Sequence, residues 1–464
     1  MSLVTLDAHD PVPLVNQIVT AVMKQIDDRA LRVGTRMPSI RKFATDHGVS
    51  RFTVVQAYDR LVAAGYLQSR LGSGFYVASR AQPRVAKETG YKLDSATDVL
   101  WLLHNALRPG TREAMPGVGW LPHAWLDEEG VQRSLRALSK YGGASLTHYG
   151  EPAGYGPMRE LLQHRLAENG IQADASQIVL TKGTSHGLDL IARYLVRPGD
   201  TVLVDDPGYF TLFGMLKSLN AKLVGVPWNE DGPDTVVLEA LLKEHKPRLY
   251  FTNTILHNPT GASISQSVAF RMLQLAEKHD LTLVEDDVYG DFMPAPATRL
   301  ATLDQLRRVI YIGGYSKTIS CSARVGFIAC NRELAERLTD LKLLSGLTTS
   351  EIDERLIYQM LIDGQFRKHM DRLRSQLDRA RDKTLRNLER IGYKTNVIPT
   401  GGMFLWARRS SQANAAAIAS KAAKAGIILA PGNLFRPHQE PSPWLRFNVA
   451  ACGDPALFRF LAGQ

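Results

Sequence analysis

The chain of 464 residues is too long for one ordinary domain and contains enough apolar sequence for a large core. It has 44% hydrophobic and 22% charged residues, no apolar run long enough to cross a membrane and no N-terminal secretion signal, so we expect a globular cytoplasmic protein with no membrane partner. Its three cysteines lack the spacing of metal ligands, which argues against a disulfide framework and a zinc site, and we interpret all three as buried thiols.

The net charge of +10 is unevenly distributed. Residues 1–80 carry ten Lys and Arg against six Asp and Glu, residues 81–112 carry five against three, and the remainder carries 41 against 37. A basic excess near the N-terminus favours a polyanionic partner, although charge alone is a weak indication.

Residues 1–78 have the pattern of a small helix-turn-helix domain. Apolar residues recur every four positions after Pro13, which predicts an amphipathic first helix with one inward face: Leu14, Ile18, Val22 and Ile26. Ser39 and Ser50 can cap two further helices joined by a turn at Gly48. The segment "YLQSRLGSGFYV" then predicts two short strands around a glycine turn, which would form a wing.

A helix-turn-helix inserts the start of its second helix into the DNA major groove, and a glycine-rich wing can approach a phosphate closely. We therefore expect six residues to contact double-stranded operator DNA: Arg41, Arg51, Thr53, Arg70, Gly72 and Gly74. The alternative is a three-helix protein-interaction module with solvated arginines. The stretch from helix one through the wing resembles the GntR-type winged-helix domain over nearly its whole length, and this resemblance implies DNA contacts by Arg41, Arg51 and the two wing glycines.

Residues 79–112 are expected to be a linker, because the polar segment "SRAQPRVAKETGYKL" shows no periodicity. A short helix is predicted in "DSATDVLWLLHNAL". Within residues 113–464, helical patterns alternate with seven short apolar runs, which predicts an α/β domain with a mainly parallel sheet. The runs are "QIVL", "DTVLVDD", "AKLVGVP", "RLYFTNT", "LTLVEDD", "RVIYIGG" and "RVGFIAC".

The ends of these predicted strands carry unusual polar groups, and strand ends are where α/β folds position their chemistry. In "TKGTSHGLDLIARYL", Thr184 and Ser185 begin a helix, whose free amides make an anion site. Tyr209 in "DDPGYF" could stack on a ring. Asn258 in "HNPTG" has an amide suited to hold an oxygen.

Two further strand ends complete the set. "EDDVYGDF" ends an apolar strand in Asp286, with Tyr289 three residues later, and "GGYSKTISCSARVGF" contains Ser316, Lys317 and Arg324. Together these parts fit pyridoxal 5'-phosphate (PLP), which has an anionic phosphate, a planar ring, a ring nitrogen that needs a carboxylate and a carbonyl that a lysine can capture. A desolvated lysine near other cations becomes a nucleophile, and an aspartate keeps the ring nitrogen protonated.

Other interpretations of these motifs are less favoured. A single lysine at a strand end is commonly a surface residue, and "GGYSKT" lacks the glycine spacing of a phosphate-binding P-loop. Asp286 and Asp287 could bind a metal, but no histidine or third carboxylate lies at ligand spacing, so we expect no metal. The joint occurrence of the motifs in order favours PLP.

Residues 113–464 resemble the class I/II aminotransferases of fold type I, through "HNPTG", "EDDVYGDF", "YSKTISCSARVGF" and "PWLRFNVA". The resemblance implies a PLP-dependent transferase fold with a smaller C-terminal α+β subdomain and a head-to-tail homodimer. Lys317 would bind the cofactor covalently, Asp286 would contact the pyridine nitrogen, and Asn258 with Tyr289 would contact the ring oxygen. The remaining roles implied are phosphate binding for Thr184, Ser185, Ser316 and Arg324, ring stacking for Tyr209, grip of a substrate carboxylate for Arg446, and contact with the neighbouring subunit's phosphate for Tyr149.

Two segments need separate interpretation. The family usually has a proline between the lysine and the arginine, whereas this loop reads Thr318 to Ala323 without one, so its path is not implied by the resemblance. The arginine-rich segment "QFRKHMDRLRSQLDRARDKTLRNLERIG" could bind DNA, but its apolar spacing favours a solvated helix of the small domain.

A GntR-type winged helix joined to an aminotransferase-like domain is the arrangement of MocR-type bacterial regulators, which the chain resembles from end to end. The resemblance implies a DNA-binding transcriptional regulator that senses an amino compound or PLP itself. Two alternatives remain: a working aminotransferase carrying a DNA-binding module, and a DNA-binding protein whose large domain is empty and only dimerises.

Overall fold

A computed structural model describes residues 6–7, 10–70, 72–79, 99–107, 114–140, 147–410 and 414–464. The chain forms two compact units, Met1–Gly90 and Tyr91–Gln464. In the parts that the structure describes, no helix is long and apolar enough to cross a membrane.

The smaller unit contains three helices and a two-stranded antiparallel hairpin: α1 (Leu14–Asp27), α2 (Ile40–His47), α3 (Arg51–Ala63), β1 (Leu67–Arg70) and β2 (Gly74–Val77). The side chains of Ser39 and Ser50 cap α2 and α3 by accepting amide hydrogen bonds, and Gly48 ends α2 in the left-handed conformation. Ile18, Phe43 and Tyr58 are fully buried in one core. The predicted helix-turn-helix and wing are therefore confirmed.

The larger unit contains thirteen helices among the described residues. They are α4 (Val99–Ala106), α5 (Glu128–Leu138), α6 (Gly156–Glu168), α7 (Thr184–Leu195), α8 (Phe210–Ser218), α9 (Thr235–His245), α10 (Gln266–Lys278), α11 (Leu300–Asp304), α12 (Arg332–Gly346), α13 (Glu351–Ile362), α14 (Gln365–Arg390), α15 (Ala415–Lys424) and α16 (Pro455–Ala462). Helix α4 begins within the predicted linker, and its Leu102 packs into the core of this unit.

The central sheet has eight strands, in the order β3-β10-β9-β8-β7-β4-β5-β6. They are β3 (Ile178–Thr181), β4 (Thr201–Asp206), β5 (Lys222–Asn229), β6 (Gly232–Pro233), β7 (Leu249–Thr252), β8 (Thr282–Asp286), β9 (Val309–Gly314) and β10 (Gly326–Ala329). Strands β9, β8, β7, β4 and β5 run parallel, whereas β10 is antiparallel to both β3 and β9. All seven predicted strands are present, and the mainly parallel sheet is confirmed.

Both faces of this sheet are buried. Successive residues alternate between two apolar clusters, so that Tyr250 packs on one face while Leu249 and Phe251 pack on the other. Two-sided burial explains why these strands read as continuous apolar runs, as parallel strands do. The parallel pairing of β4, β7, β8 and β9 places their carboxyl ends along one edge.

A second, smaller sheet of four antiparallel strands follows in the order β11-β12-β14-β13: β11 (Tyr393–Thr395), β12 (Phe404–Arg409), β13 (Ala430–Pro431) and β14 (Trp444–Asn448). Helix α14 buries Met370, Leu373 and Leu377, and even its Arg381 is buried. The arginine-rich segment is therefore a packed helix of the smaller subdomain, as its apolar spacing predicts.

The loop between Lys317 and Arg324 corrects one expectation. Cys321 is exposed, so the interpretation of all three cysteines as buried is wrong for this residue, while Cys330 and Cys452 are buried. Within this loop Thr318, Ile319 and Ala323 are buried, and only Cys321 and Ser322 are exposed. The Cys321 thiol donates to the backbone oxygen of Ser316 over 2.9 Å.

Candidate functional site

The start of α3 presents an exposed surface in the smaller unit. Arg51 and Phe52 are exposed, and the Phe52 side chain is 70% accessible. The Thr53 hydroxyl instead lies 2.8 Å from the Ser50 hydroxyl, which also accepts from the Thr53 amide. Thr53 thus takes part in the helix cap, and Arg51 and Phe52 extend furthest into solvent.

One further residue shares this surface. Gln56 is exposed one turn after Phe52, whereas Arg60 is tied to α1 by a hydrogen bond of 2.7 Å to Asn16. Phe52 and Gln56 were missed in the sequence because a single exposed aromatic and a single glutamine carry no motif. Their signal is positional, since Phe52 and Gln56 are four residues apart and lie on the same helical face, beside Arg51.

The other predicted DNA contacts lie on α2 and the wing. Arg41 is exposed in the first turn of α2. The Arg70 guanidinium lies 4.6 Å from the centre of the Tyr76 ring, which fixes it beside the wing. Gly72 and Gly74 have φ values of 70° and 105°, a conformation that favours glycine.

In the larger unit, a cavity of about 100 Å³ lies at the carboxyl edge of the central sheet. Its lining contains every residue predicted to bind PLP or a substrate carboxylate except Tyr149: Thr184, Ser185, Tyr209, Asn258, Asp286, Tyr289, Ser316, Lys317, Arg324 and Arg446. These residues come from seven separate segments of the chain, so the fold brings together side chains that are up to 262 positions apart in sequence.

Lys317 lies just beyond the end of β9, and its amine donates to the backbone oxygen of Gly119 over 2.6 Å. Burial lowers the pKa of the Lys317 ammonium to about 8, and the cations of Arg446 and Arg324 act in the same direction. A larger fraction of this amine is therefore unprotonated near neutral pH than for an ordinary lysine, which is what a nucleophile requires.

Asp286 ends β8 on the same edge. Burial raises the pKa of its carboxyl to about 7, and the neighbouring Asp287 carboxylate adds to the effect. The Oδ1 atom of Asp286 is buried and has no hydrogen-bond partner among the described residues. A buried carboxyl oxygen without a partner is costly, so this position favours a ligand that brings a hydrogen-bond donor or a positive charge.

The start of α7 forms an anion cradle. Gly183 precedes the helix with φ 75°, and the Arg324 side chain lies against it while donating to the Ser316 hydroxyl over 3.0 Å. The amides of the first helical turn and a guanidinium therefore face the same space, together with the hydroxyls of Thr184 and Ser185. This donor set fits a phosphate.

We expect Gly183→Ala to weaken binding of PLP by about tenfold or more. A Cβ at Gly183 would lie 2.6 Å from an Arg324 Nη atom, so the guanidinium would have to leave the cradle; loss of one charged hydrogen bond costs about 1.5–3 kcal/mol. Fluorescence titration with PLP measures the effect. Gly199→Ala is the matched control, since Gly199 also has a positive φ but no atom of a described residue within 4 Å of its Cβ position. Equal affinities of the two variants would contradict the cradle.

Arg446 is buried on β14, with its guanidinium 4.4 Å from the Phe404 ring centre and 4.8 Å from that of Phe435. It donates to Asn258 Oδ1 over 2.7 Å and to the backbone oxygen of Gly117 over 2.6 Å. Burial lowers the pKa of Arg446 to about 10, and the Nε atom has no partner among the described residues. An anionic ligand would restore the balance of charge at this position.

Asn253 and Gly119 line the same cavity but carried no recognisable signal in the sequence. The Asn253 amide donates to the backbone oxygen of Asp286 over 2.7 Å, and its side-chain oxygen accepts from the Asn258 amide over 2.7 Å. Asn253 therefore fixes the end of β8, at Asp286, relative to the loop that carries Asn258. Such a role depends on three loops meeting in space, which a single sequence does not reveal.

Tyr149 is not part of this cavity. Its side chain is 79% exposed, and the adjacent Gly150 lies close to Glu351 at the start of α13.

Comparison with known proteins agrees with both units. Residues 14–77 match the family described as bacterial regulatory proteins, gntR family, and residues 125–463 match aminotransferase class I and II. LysN, an α-aminoadipate aminotransferase from Thermus thermophilus solved with N-(5'-phosphopyridoxyl)-L-leucine, is 25% identical with a TM-score of 0.70, covering 76% of this chain and 92% of LysN. The larger unit thus has the fold of PLP-dependent aminotransferases.

Relatives that match most of the chain are named as transcriptional regulators. The HTH-type regulator YdfD of Bacillus subtilis is 28% identical over 94% of this chain and 92% of its own length. The probable rhizopine catabolism regulatory protein MocR of Rhizobium meliloti is 30% identical over 80% of this chain and 76% of its own length. The chain belongs to this family of MocR-type transcriptional regulators, which join a GntR helix-turn-helix to a class I/II aminotransferase domain.

Proposed function

We propose that the protein regulates transcription by binding operator DNA through α2, α3 and the wing, and that its larger unit holds PLP on Lys317 and senses an amino compound or PLP itself. The observation that carries the proposal is the convergence of ten predicted residues on one cavity at the carboxyl edge of the sheet. The proposal includes a cytoplasmic location, because a regulator must reach the chromosome.

The residues around the cavity suit the parts of PLP. Thr184, Ser185, Ser316 and Arg324 would hold the phosphate, Tyr209 would stack on the ring, and Asn258 with Tyr289 would hold the ring oxygen. The ring nitrogen would supply the hydrogen-bond partner that Asp286 Oδ1 lacks among the described residues. Bound PLP supplies a reactive aldehyde and a ring that accepts electrons. The chain itself supplies the Lys317 amine with a lowered pKa and, in Arg446, a cation for a carboxylate.

The ligand-sensing part of the proposal is tested by titration. Amino compounds are added to the PLP-loaded protein while the visible spectrum and the affinity for operator DNA are recorded together. A ligand can change DNA binding only if its affinity differs between two states of the protein, so at least one compound should alter both signals over the same concentration range. A protein that acquires no visible absorption when equilibrated with PLP would contradict the proposal.

A second candidate function is transamination. Lys317, Asp286 and Arg446 lie around one cavity, so the groups that an aminotransferase needs are retained. Sustained conversion of an amino acid and a keto acid at ordinary enzymatic rates, roughly 1 per second or faster, would favour the enzyme. A spectral change without turnover favours the sensor.

We further propose a head-to-tail homodimer in which Tyr149 reaches the phosphate of the neighbouring subunit. Tyr149 is 79% exposed, and the adjacent Gly150 lies close to Thr349 and Glu351, which follow the exposed Leu344 (88%) and Leu347 (49%) in the sequence. Apolar side chains with such exposure at neighbouring positions favour burial against another copy of the chain. Two winged helices held in this way would require an operator with two half-sites.

The dimer surface is tested by Leu344→Asp. A carboxylate at this position would be buried without a partner in the interface, so we expect the variant to be largely monomeric at micromolar concentration. Light scattering after gel filtration gives the mass. Val236→Asp is the control, because Val236 is 79% exposed on α9, and it should remain dimeric. Dimers of both variants would show that Leu344 lies outside the interface.

A further inference from the structure

We propose a second DNA-binding surface, on the larger unit, at the edge of the central sheet opposite the PLP cavity. It rests on the proposed function in one respect, namely that this chain binds duplex DNA. Its ligand is the phosphodiester backbone, and its side chains are distinct from those of α2, α3 and the wing.

The surface consists of two neighbouring cavities of about 640 Å³ and 260 Å³, which share Tyr194 and Leu195 at the end of α7. We call them together the basic groove. Its lining contains six arginine and lysine side chains against two carboxylates, Asp200 and Glu333. The six cations are Arg197, Lys246, Arg248, Arg307, Arg308 and Arg337.

The topology of the sheet explains why these cations meet. Arg197 precedes β4, Arg248 immediately precedes β7, and Arg308 immediately precedes β9. These strands run parallel and lie close together in the order β9-β8-β7-β4, so the residues that precede them are aligned along the amino edge of the sheet. Parallel neighbours are about 4.8 Å apart, and the groove therefore extends about 15 Å across the strands.

Most of this charge has no partner in the part of the chain that the structure describes. The side chains of Arg197, Lys246, Arg248 and Arg337 make neither a hydrogen bond nor an ion pair with described residues, whereas Arg308 pairs with Asp280 over 2.7 Å. The lining of the groove has an excess of four positive charges, of which the Asp280 carboxylate outside the lining neutralises one, at Arg308. The remaining excess of three is a large part of the net charge of residues 113–464, where 41 basic residues face 37 acidic ones.

Helix dipoles offer a simpler explanation for part of the pattern. Helices α7 and α9 end at this edge, and cations stabilise the C-terminal ends of helices. That effect accounts for Arg197 and Lys246, which follow those helices directly. The same effect extends to Arg307, whose Nε atom donates to the backbone oxygen of Asp304, the last residue of α11, over 3.3 Å. It does not account for Arg248 or Arg308, which immediately precede strands, nor for Arg337 within α12.

The distribution of the cations favours an extended ligand over a small one. A small phosphate ester is bound by donors that converge on one point, as they do at Gly183, whereas these cations are spread along about 15 Å. Each strand of duplex DNA presents a phosphate about every 3.4 Å along its axis, so a groove of this length spans about four phosphates. We therefore assign the groove to DNA that flanks the operator.

The test neutralises three groove cations in the full-length protein, as Arg197→Gln, Lys246→Gln and Arg248→Gln combined. Affinity for a duplex of arbitrary sequence, long enough to extend well beyond the operator, is measured from low to moderate salt. Because each neutralised phosphate contributes about 0.9 to the slope of log affinity against log salt, the slope should become shallower by about 2 to 3. The control combines Arg379→Gln, Lys383→Gln and Arg386→Gln, three exposed cations of α14, and should leave the slope unchanged.

Several outcomes would overturn the assignment. A groove variant with the wild-type slope, or a control variant with the same loss as the groove variant, would show that DNA does not contact the groove. Pyrophosphate binding is measured by calorimetry. If the wild-type protein binds pyrophosphate, the groove variant does not, and the DNA slope is the same for both, the ligand of the groove is a small anion. Arg51→Ala is measured in parallel to separate the two proposals. If the groove variant changes the salt slope but Arg51→Ala does not weaken operator binding, only the assignment of the winged helix is contradicted.

Discussion

Lys317→Ala is expected to carry no PLP after borohydride reduction and dialysis, because the reduction fixes the cofactor to the chain only where a lysine has formed an imine with it. Lys317 is the only lysine among the described residues that line the cavity, and burial lowers its pKa to about 8, so no other side chain there can replace its unprotonated amine. The measurement is mass spectrometry of peptides after reduction, combined with the visible spectrum. The response of operator binding to amino compounds should disappear with the cofactor.

Two variants control this result. Lys317→Arg keeps the positive charge but cannot form the covalent bond, so it should behave as Lys317→Ala does. Lys182→Ala removes an exposed lysine two residues before α7 and should retain the cofactor. Covalent attachment in the Lys317→Ala protein would disprove the proposed role of this cavity.

Arg51→Ala should abolish specific binding of the operator while the protein keeps its cofactor. Arg51 is the first residue of α3 and is exposed where a recognition helix meets base edges. One well-formed contact of an arginine with a base contributes about 1–3 kcal/mol of discrimination, or roughly 5- to 150-fold for each half-site. Two half-sites would roughly square that factor. Fluorescence anisotropy with a selected operator gives the affinities.

Lys24→Ala is the matched control, because it removes one exposed positive charge from the last turn of α1. It should weaken binding only slightly. If Arg51→Ala and Lys24→Ala lowered affinity equally, the arginine would contribute general attraction to phosphate, and base recognition would fall to other residues such as Gln56.

The elements of this fold were predictable from sequence where burial imposes a simple pattern. The parallel strands are buried on both faces, so each is a continuous apolar run, and the last residue of each run marks the edge where Asp286 and Lys317 lie. The helices of the smaller unit were equally clear, because Ser39 caps the helix that ends at the Gly48 turn and Ser50 caps the helix that follows it.

The features that the sequence did not reveal depend on contacts between distant segments. The backbone oxygens of Gly117 and Gly119 accept from Arg446 and Lys317, which are 329 and 198 positions away. Backbone groups carry no residue signature, so nothing in the sequence predicts such contacts. The exposure of Cys321 was missed for a related reason, since a cysteine is usually buried and only the path of its loop brings it to the surface.

Cys321 offers a direct way to follow ligand binding. It is the one exposed thiol among the three cysteines of the chain, and it lies four residues after Lys317. A maleimide fluorophore should therefore react at a single position per subunit, next to the cavity, without any engineered cysteine. The emission of that dye would report occupancy of the cavity in real time, in a protein without amino-acid substitutions, while DNA is being bound or released.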